Sequence, residues 1–446
     1  MQTIYNQQKA YFKLGHSQSI SYRLMMLSKL KKTIKAHEAK ISAALATDLN
    51  KSKQEAYLSE FFMIYKSIDY TIKNLDKWAN DQKVKTPIIL KPAKSYTRSL
   101  PYGNTLILNA YNYPLLLAVD PIIGAIAGGN TIMLGLSKKV KATNQVIIKM
   151  LNTTFDPEYL YAFETDRKIN QELFAIPFDK FFFTGSENVG KLVYQAAAKH
   201  MAAVTLELGG KSPAIVLRDA NLKETAKSII YSKGLNAGQT CVATDYILVD
   251  EMIADDLISE LKAAEIKMYP SLNDYPKLID KKAFNLAMET IETDKDYLVN
   301  DFRTNPETNQ LSVVLIKADS DIELKAMEVE NFNPILPIIT YPTLEAAIDY
   351  ARKYPNPLAL YVFGKRKANI YKMIRNLPAG GVSINATIFH MVNQHLPFSG
   401  YKSSGIGAYH GKHSFQTFTY EQAVYHKYGF RIQNLILPPY KRSKSK

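Results

Sequence analysis

Residues 178–216 read FDKFFFTGSENVGKLVYQAAAKHMAAVTLELGGKSPAIV. FDKFFFTG is a short apolar run ending on a glycine, and it predicts a strand. GSENVGKLVYQAAAKH is rich in helix formers and predicts a helix. AAVTLEL predicts a second strand, which stops at the pair Gly209-Gly210. SPAIVL then begins a new alternating region. Upstream, NTLILN and NTIMLG read as strands on either side of the helix PLLLAVDPIIGAIAGG, and a helix follows around 141–151. Downstream, a helix over 221–234, the strand DYILV and a helix over 252–265 repeat the theme. After a less readable patch around 266–325 come the strand ILPIIT, the helix LEAAIDYARK, the strand LALYVFG and a helix over 367–376. Such β-α alternation predicts mainly parallel, helix-flanked sheets. Two α/β domains sharing a deep cleft are expected, with ligands outside the carboxyl ends of the strands.

The ends differ from this middle. The first 80 residues read as helices, with Leu24, Leu27, Ile34, Ile41 and Leu45 at spacings of three, four and seven. Residues 83–101, with VKTPIILKPAKSYTRSLP, carry three prolines and no helical period, which suits a strand-rich arm. The apolar stretch from Tyr113 to Leu136 is broken by Asp120, Pro121, Gly128, Gly129 and Asn130. A membrane span needs roughly 20 mostly apolar residues, so this stretch reads as a buried helix followed by a strand. The start MQTIYNQQKA has no signal-peptide core, and a cytoplasmic protein is expected.

The 446 residues carry a formal net charge of +15. That balance favours anionic partners, from nucleotide phosphates to acidic lipid. The lysines are scattered along amphipathic stretches and no nucleic-acid motif accompanies them, so a solvated surface is the reading and no nucleic-acid partner is expected. The closing KRSKSK would touch anionic lipid peripherally. One cysteine excludes an intrachain disulfide and a cysteine-rich zinc site, and the eight histidines form no HExxH pair, so no metal is expected.

Three places carry candidate chemistry. In NAGQTCVATDYILV, Cys241 follows a helix and a glycine turn and precedes a strand. Gly238, Gln239 and Thr240 would present its thiol at a strand edge, as a nucleophile requires; the alternative is a small buried filler. In VTLELGGKSP, Glu207 ends an apolar strand, where desolvation raises a carboxyl towards the range of a general base. The alternatives are escape to solvent or an ion pair with Lys211. FFFTGSENVGKLV imitates a phosphate-binding loop, but Leu192 stands where the loop needs Ser or Thr for magnesium. A glycine-bearing helix N-terminus still favours a pyrophosphate, and an ordinary strand-to-helix turn is the alternative.

LELGGKSP, NAGQTC and FFTGSENVG together resemble the signatures of the aldehyde dehydrogenase superfamily. NAYNYP, HLPFSG and LPPY resemble its class 3 branch of long-chain and aromatic aldehyde dehydrogenases. The similarity runs through nearly the whole chain in order, thinning between about 270 and 325. It implies an α/β fold with a Rossmann-like cofactor domain (1–84 and 102–207), an α/β catalytic domain (208–414), and a β-arm for dimerisation with a basic tail (85–101 and 415–446). It implies NAD(P)-dependent oxidation of an apolar, medium to long aldehyde to its acid, by a homodimer. Cys241 would attack the carbonyl, Asn112 of the N-Y-P motif would hold the oxyanion with a backbone N–H, and Glu207 would activate water. Thr184, Gly185, Ser186 and Gly190 would lie along the cofactor pyrophosphate, and Glu330 and Phe332, in EVENFNP, would meet the nicotinamide end.

The sequence also departs from the family. The K-P-S-E that binds the adenosine ribose reads Gly135-Leu136-Ser137-Lys138. Losing the Glu and gaining Lys138 favours a 2′-phosphate, hence NADP as well as NAD. The glycine of E-x-F-G-P is Asn333, a residue that tolerates left-handed geometry. PFGG reads Pro397-Phe398-Ser399-Gly400, and 296–320 lacks the usual proline-threonine strand. These changes leave open a cofactor-weakened or non-catalytic relative. Tyr111, Tyr113 and Phe389 are candidates to line an apolar tunnel, or to be core packing.

Overall fold

The computed structural model describes residues 1–429 and Pro438. Two six-stranded sheets form its frame. The first runs Leu160–Thr165, Thr131–Ser137, Asn104–Leu108, Lys180–Thr184, Ala203–Glu207, Gly405–Ile406. Its first five strands are parallel and the sixth is antiparallel. The chain builds one way from Asn104–Leu108, then crosses to the other side through Lys180–Thr184. The strand order therefore reverses between these two, and a crevice opens beyond their carboxyl ends.

The second sheet is parallel throughout: Val314–Asp319, Ile335–Tyr341, Tyr246–Asp250, Pro213–Val216, Ala359–Phe363, Gly381–Ile384. Its strands read as continuous apolar runs because both faces are covered. Ala214 and Val216 enter one core while Ile215 and Leu217 enter another. The first sheet does the same: Phe182 faces one core, Phe181 and Phe183 the opposite one.

The interrupted stretch folds as its breaks predict. Helix Leu116–Gly128 is buried along its whole length and strand Thr131–Ser137 follows. No helix among the described residues is long and apolar enough to cross a membrane. The N-terminal helices are Gln2–Lys13, Ile20–Leu49 and Phe62–Ala79, and Leu27, Ile34, Ile41 and Leu45 are fully buried. The proline-rich segment supplies Ala93–Pro101, the centre of an antiparallel three-stranded sheet with Gln82–Val84 and Thr419–Lys427.

Four elements among those without a counterpart in the sequence reading bear on the frame. Strand Leu160–Thr165 edges the first sheet. The patch 266–325 holds helix Lys281–Thr293 and strand Val314–Asp319. Gly405–Ile406 pairs with Leu206 and Glu207. LPPY (apart from Pro438) and KRSKSK lie outside the described residues.

Candidate active site

Helix Leu222–Gly234 ends before Asn236, Ala237 and Gly238, which are left-handed, with φ of 51°, 53° and 72°. For the two that are not glycine this costs roughly 1 kcal/mol or more each. Hydrogen bonds fix the turn. Glu55 Oε1 accepts from the Asn236 N–H at 2.8 Å. Asn236 Nδ2 donates to the carbonyls of Asn112 (2.8 Å) and Gln239 (3.1 Å). Gln239 Nε2 donates to the carbonyls of Asn236 and Lys277, and its Oε1 accepts from Ile279 N–H, each at 3.0 Å. Gly238 has no alternative, since a side chain there would strike the Asn333 carbonyl.

This turn delivers Cys241, which keeps part of its surface open. The backbone N–H groups of Cys241 and Val242 bond the sulfur and favour the thiolate. Burial outweighs them, and with Glu330 and Glu207 nearby the thiol is pushed up to about 12. The cysteine therefore rests protonated at neutral pH.

Glu207 ends strand Ala203–Glu207 and is 2% exposed. Neither carboxyl oxygen has a partner among the described residues. Burial alone raises its pKa well above the carboxylate range. Of the alternatives left by the sequence, neither is realised: the side chain does not reach solvent, and Lys211 pairs with Asp245 at 2.5 Å. Lys211 also donates to the Val329 carbonyl at 2.7 Å, and Asp245 accepts from Asn331 N–H at 2.7 Å, so the pair pins the segment carrying Glu330. Buried Lys233 donates to the Asn331 carbonyl from the other side.

Glu330 lies against Gly209 so closely that any side chain there would collide with its carboxyl. Burial, then Asp245, raises Glu330 to about 8. Phe332 meets Tyr111 edge-on at 6.1 Å. Asn333 does not use left-handed backbone; instead its Oδ1 accepts from Ile335 N–H at 2.9 Å, in a side-chain turn.

Asn112 is buried beside the nucleophile turn. Its Nδ2 donates to the Gln239 carbonyl at 3.0 Å, two residues before Cys241. An amide carries two such hydrogens, so one remains for a ligand. Tyr113 is buried, and its hydroxyl bonds Thr240 at 2.6 Å. Phe389 is exposed and stacks on Tyr231 at 6.1 Å. Of the three aromatic candidates, Tyr113 is thus core packing that also braces the turn, while Tyr111 and Phe389 keep open surface.

A nucleotide cofactor is tested against the crevice. Thr184 ends strand Lys180–Thr184 with its Oγ1 buried and unpartnered. Gly185 follows, then Ser186, whose side chain does not cap helix Glu187–Lys199. Among the described residues no side chain is seen to accept from the N–H groups of that first turn, and a helix N-terminus favours an anion there. These features fit a pyrophosphate. Gly190, one turn in, lies under Leu208 and serves close helix-to-strand packing. At the far end Gly135 is crowded by Thr165, Leu108 and Phe163. Lys138 is exposed in the next turn, within electrostatic reach of Asp166.

The three motifs singled out in the sequence thus meet where the two sheets face each other, with Thr184 opposite Glu207 in the first sheet and Glu207 close enough to Cys241 to act on its thiol. Residues 2–424 match the model of the aldehyde dehydrogenase family. The chain belongs to that family. Its activity is accordingly the oxidation of aldehydes. It is 41% identical to the 4,4'-diaponeurosporen-aldehyde dehydrogenase of Staphylococcus aureus, over 97% of this chain and 95% of that one. It is 35% identical to aldehyde dehydrogenase family 3 member A2 of Macaca fascicularis, over 92% and 85%. A solved substrate-bound state of Staphylococcus aureus AldH superposes with a TM-score of 0.96 at 40% identity, covering 99% of this aldehyde dehydrogenase and 97% of that chain.

Sequence reading missed Glu55, Lys51, Glu60, Lys233 and Asp245, which hold the site from behind. Asn236 and Gln239 stood inside a quoted motif, so their signal was present. The acids and lysines carried none, because their partners lie far off in sequence.

Proposed function

We propose that this aldehyde dehydrogenase oxidises an apolar, medium to long aldehyde through a Cys241 thioester, with Glu207 as the base for hydrolysis. The buried, unpartnered Glu207 carboxyl carries the reading. A buried carboxyl with no partner costs stability, and a proton-transfer task accounts for its retention. Cys241 gives up its proton to solvent and attacks the carbonyl carbon as the thiolate, forming a C–S bond, which leaves Glu207 free for the later proton transfer. The carbonyl electron pair moves to oxygen, where Asn112 Nδ2 and the Cys241 N–H stabilise it. When bound, NAD or NADP would accept the hydride that leaves the same carbon as its C=O re-forms, which gives the thioester. Glu207 then takes a proton from water as that water attacks the thioester carbon. The C–S bond breaks, the thiolate leaves, and the acid is released.

Thr184, Gly185 and Ser186 would hold the pyrophosphate, and Glu330 and Phe332 would bound the nicotinamide end. The change from Glu to Lys138 favours NADP alongside NAD. The apolar substrate is supported by the exposed Phe389 on Tyr231, by Tyr111 on Phe332, and by the polyene aldehyde named for the staphylococcal relative. The exposed Ile88, Tyr420 and Tyr425 of the arm suit a second copy as partner.

The test is Glu207→Gln. Losing a general base costs about 10²–10⁴-fold, so steady turnover collapses while a burst of one NAD(P)H per site survives. Mass spectrometry then finds Cys241 acylated. Unchanged steady turnover, or a burst lost with turnover, rejects Glu207 as the hydrolytic base.

A further inference from the structure

We infer that Lys51 and Glu60 are positioning residues that set the oxyanion donor Asn112 against the nucleophile turn. The inference rests on Asn112 holding the oxyanion. Lys51 and Glu60 form an ion pair at 2.8 Å, and both side chains are 0% exposed. Replacing such a pair by apolar residues is often neutral or stabilising, so a buried pair is weak evidence for a stability role. This one is aimed at the site instead.

Lys51 Nζ donates to the Asn112 carbonyl at 3.0 Å and lies 4.0 Å from the centre of the Tyr113 ring. Glu60 Oε2 accepts from the N–H groups of Leu115 and Leu116, at 2.8 and 3.1 Å, where the buried helix Leu116–Gly128 begins. A carboxylate suits that end of a helix. The pair thus holds residues 112–116 at two points, the Asn112 carbonyl and the N–H groups of Leu115 and Leu116. The Asn112 carbonyl is the shared point, since it also accepts from Asn236 Nδ2 of the nucleophile turn.

Local backbone supports this aim. Tyr57–Phe61 is a π-helical turn inside an otherwise α-helical run. Such a turn inserts one extra residue and rotates the following side chains, and it is frequent at functional sites. Here Tyr57 and Leu58 face out while Glu60 and Phe61 face in. A turn that brings a buried carboxylate beside a lysine that bonds the Asn112 carbonyl serves geometry at the reacting centre.

The test compares Lys51→Met, Glu60→Asp and the double variant Lys51→Met/Glu60→Leu with Asn112→Ala, alone and combined. Glu60→Asp keeps the charge and shortens its reach, and the double variant removes both charges together, so the set survives misfolding of Lys51→Met. Thermal melts count the folded enzyme, and active sites are titrated by cofactor binding. Removing an oxyanion donor costs about 10²–10³-fold in kcat, which is the loss expected for Asn112→Ala. The pair variants should lose about tenfold or more in kcat, with cofactor affinity unchanged. In the Asn112→Ala background the same changes should add less than about threefold, because the coupled groups act as one. Full kcat in the folded pair variants overturns the inference, and so does a loss that multiplies independently onto Asn112→Ala. Normal kcat in Asn112→Ala itself overturns the oxyanion reading first, which separates that failure from this one.

Discussion

The two ends of the cleft are built to different standards. Around Cys241 many polar groups are committed to one another: Asn236, Gln239, Glu55, Lys51, Glu60, Lys211 and Asp245 all hydrogen-bond within the protein, and among the described residues the Glu207 carboxyl stands out as unpartnered. At the end proposed for the adenosine, Gly135 has no side chain and Lys138 stands in solvent. The difference follows from what each end must do. Bond making needs atoms held within a fraction of an ångström. The far end of a cofactor only supplies binding energy, and binding energy can be drawn from many contacts. Of the departures from the family pattern, Gly135-Leu136-Ser137-Lys138 is at the end proposed for the adenosine, while Asn333 sits against Gly238 in the turn that leads to Cys241.

Experiments can break this contrast, beginning where its effect is greatest. Cys241→Ala should lower turnover on the order of 10⁴-fold or more, as for other covalent nucleophiles. Fold and cofactor affinity should be kept, measured by melting and by quenching of Trp78. Appreciable turnover in that variant removes the nucleophile from the account. Next comes pH. The unreactive thiol form dominates below its raised pKa, and the thiolate fraction rises about tenfold per pH unit there. Alkylation of Cys241 by iodoacetamide should therefore climb from pH 7 to 10 without levelling, given a thiol pushed up to about 12. A plateau reached by pH 7 means the thiolate is already formed and the burial cost is offset. The smallest effect belongs to the adenosine end. An exposed ion pair is worth about 0.2–1 kcal/mol, so Lys138→Ala should raise KM for NADP about two- to fivefold and leave NAD alone. Equal effects on both cofactors detach Lys138 from the 2′-phosphate.

Legibility in the sequence divides along the same line as distance along the chain. The strands around 178–216 were readable because an apolar run buried on both faces looks the same wherever it sits. Glu207 was readable because its burial is written in its neighbours, Leu206 and Leu208. Cys241 was readable through a glycine turn of local residues. Lys51 and Glu60 were not, since their meaning lies in Asn112, Leu115 and Leu116, and the π-turn shifts the helical period that would have marked Glu60 as buried. Asn333 invited a left-handed reading from its residue type; its side chain satisfies Ile335 instead, which residue type alone does not reveal. Strand Leu160–Thr165 sat in a mixed polar stretch, and only its place at the sheet edge explains it.

The strand Gly405–Ile406 has a bearing on the order in which the enzyme becomes competent. It pairs Gly405 with Glu207, 405 − 207 = 198 residues apart. Pairings of such long range form late, because the loop must close before the contact rewards it. The turn that carries Cys241 draws its partners from Glu55, Asn112, Lys277 and Ile279, all of which precede Gly405 in the chain. The proposed nucleophile and the proposed base thus depend on stretches of chain that are made at different times during synthesis.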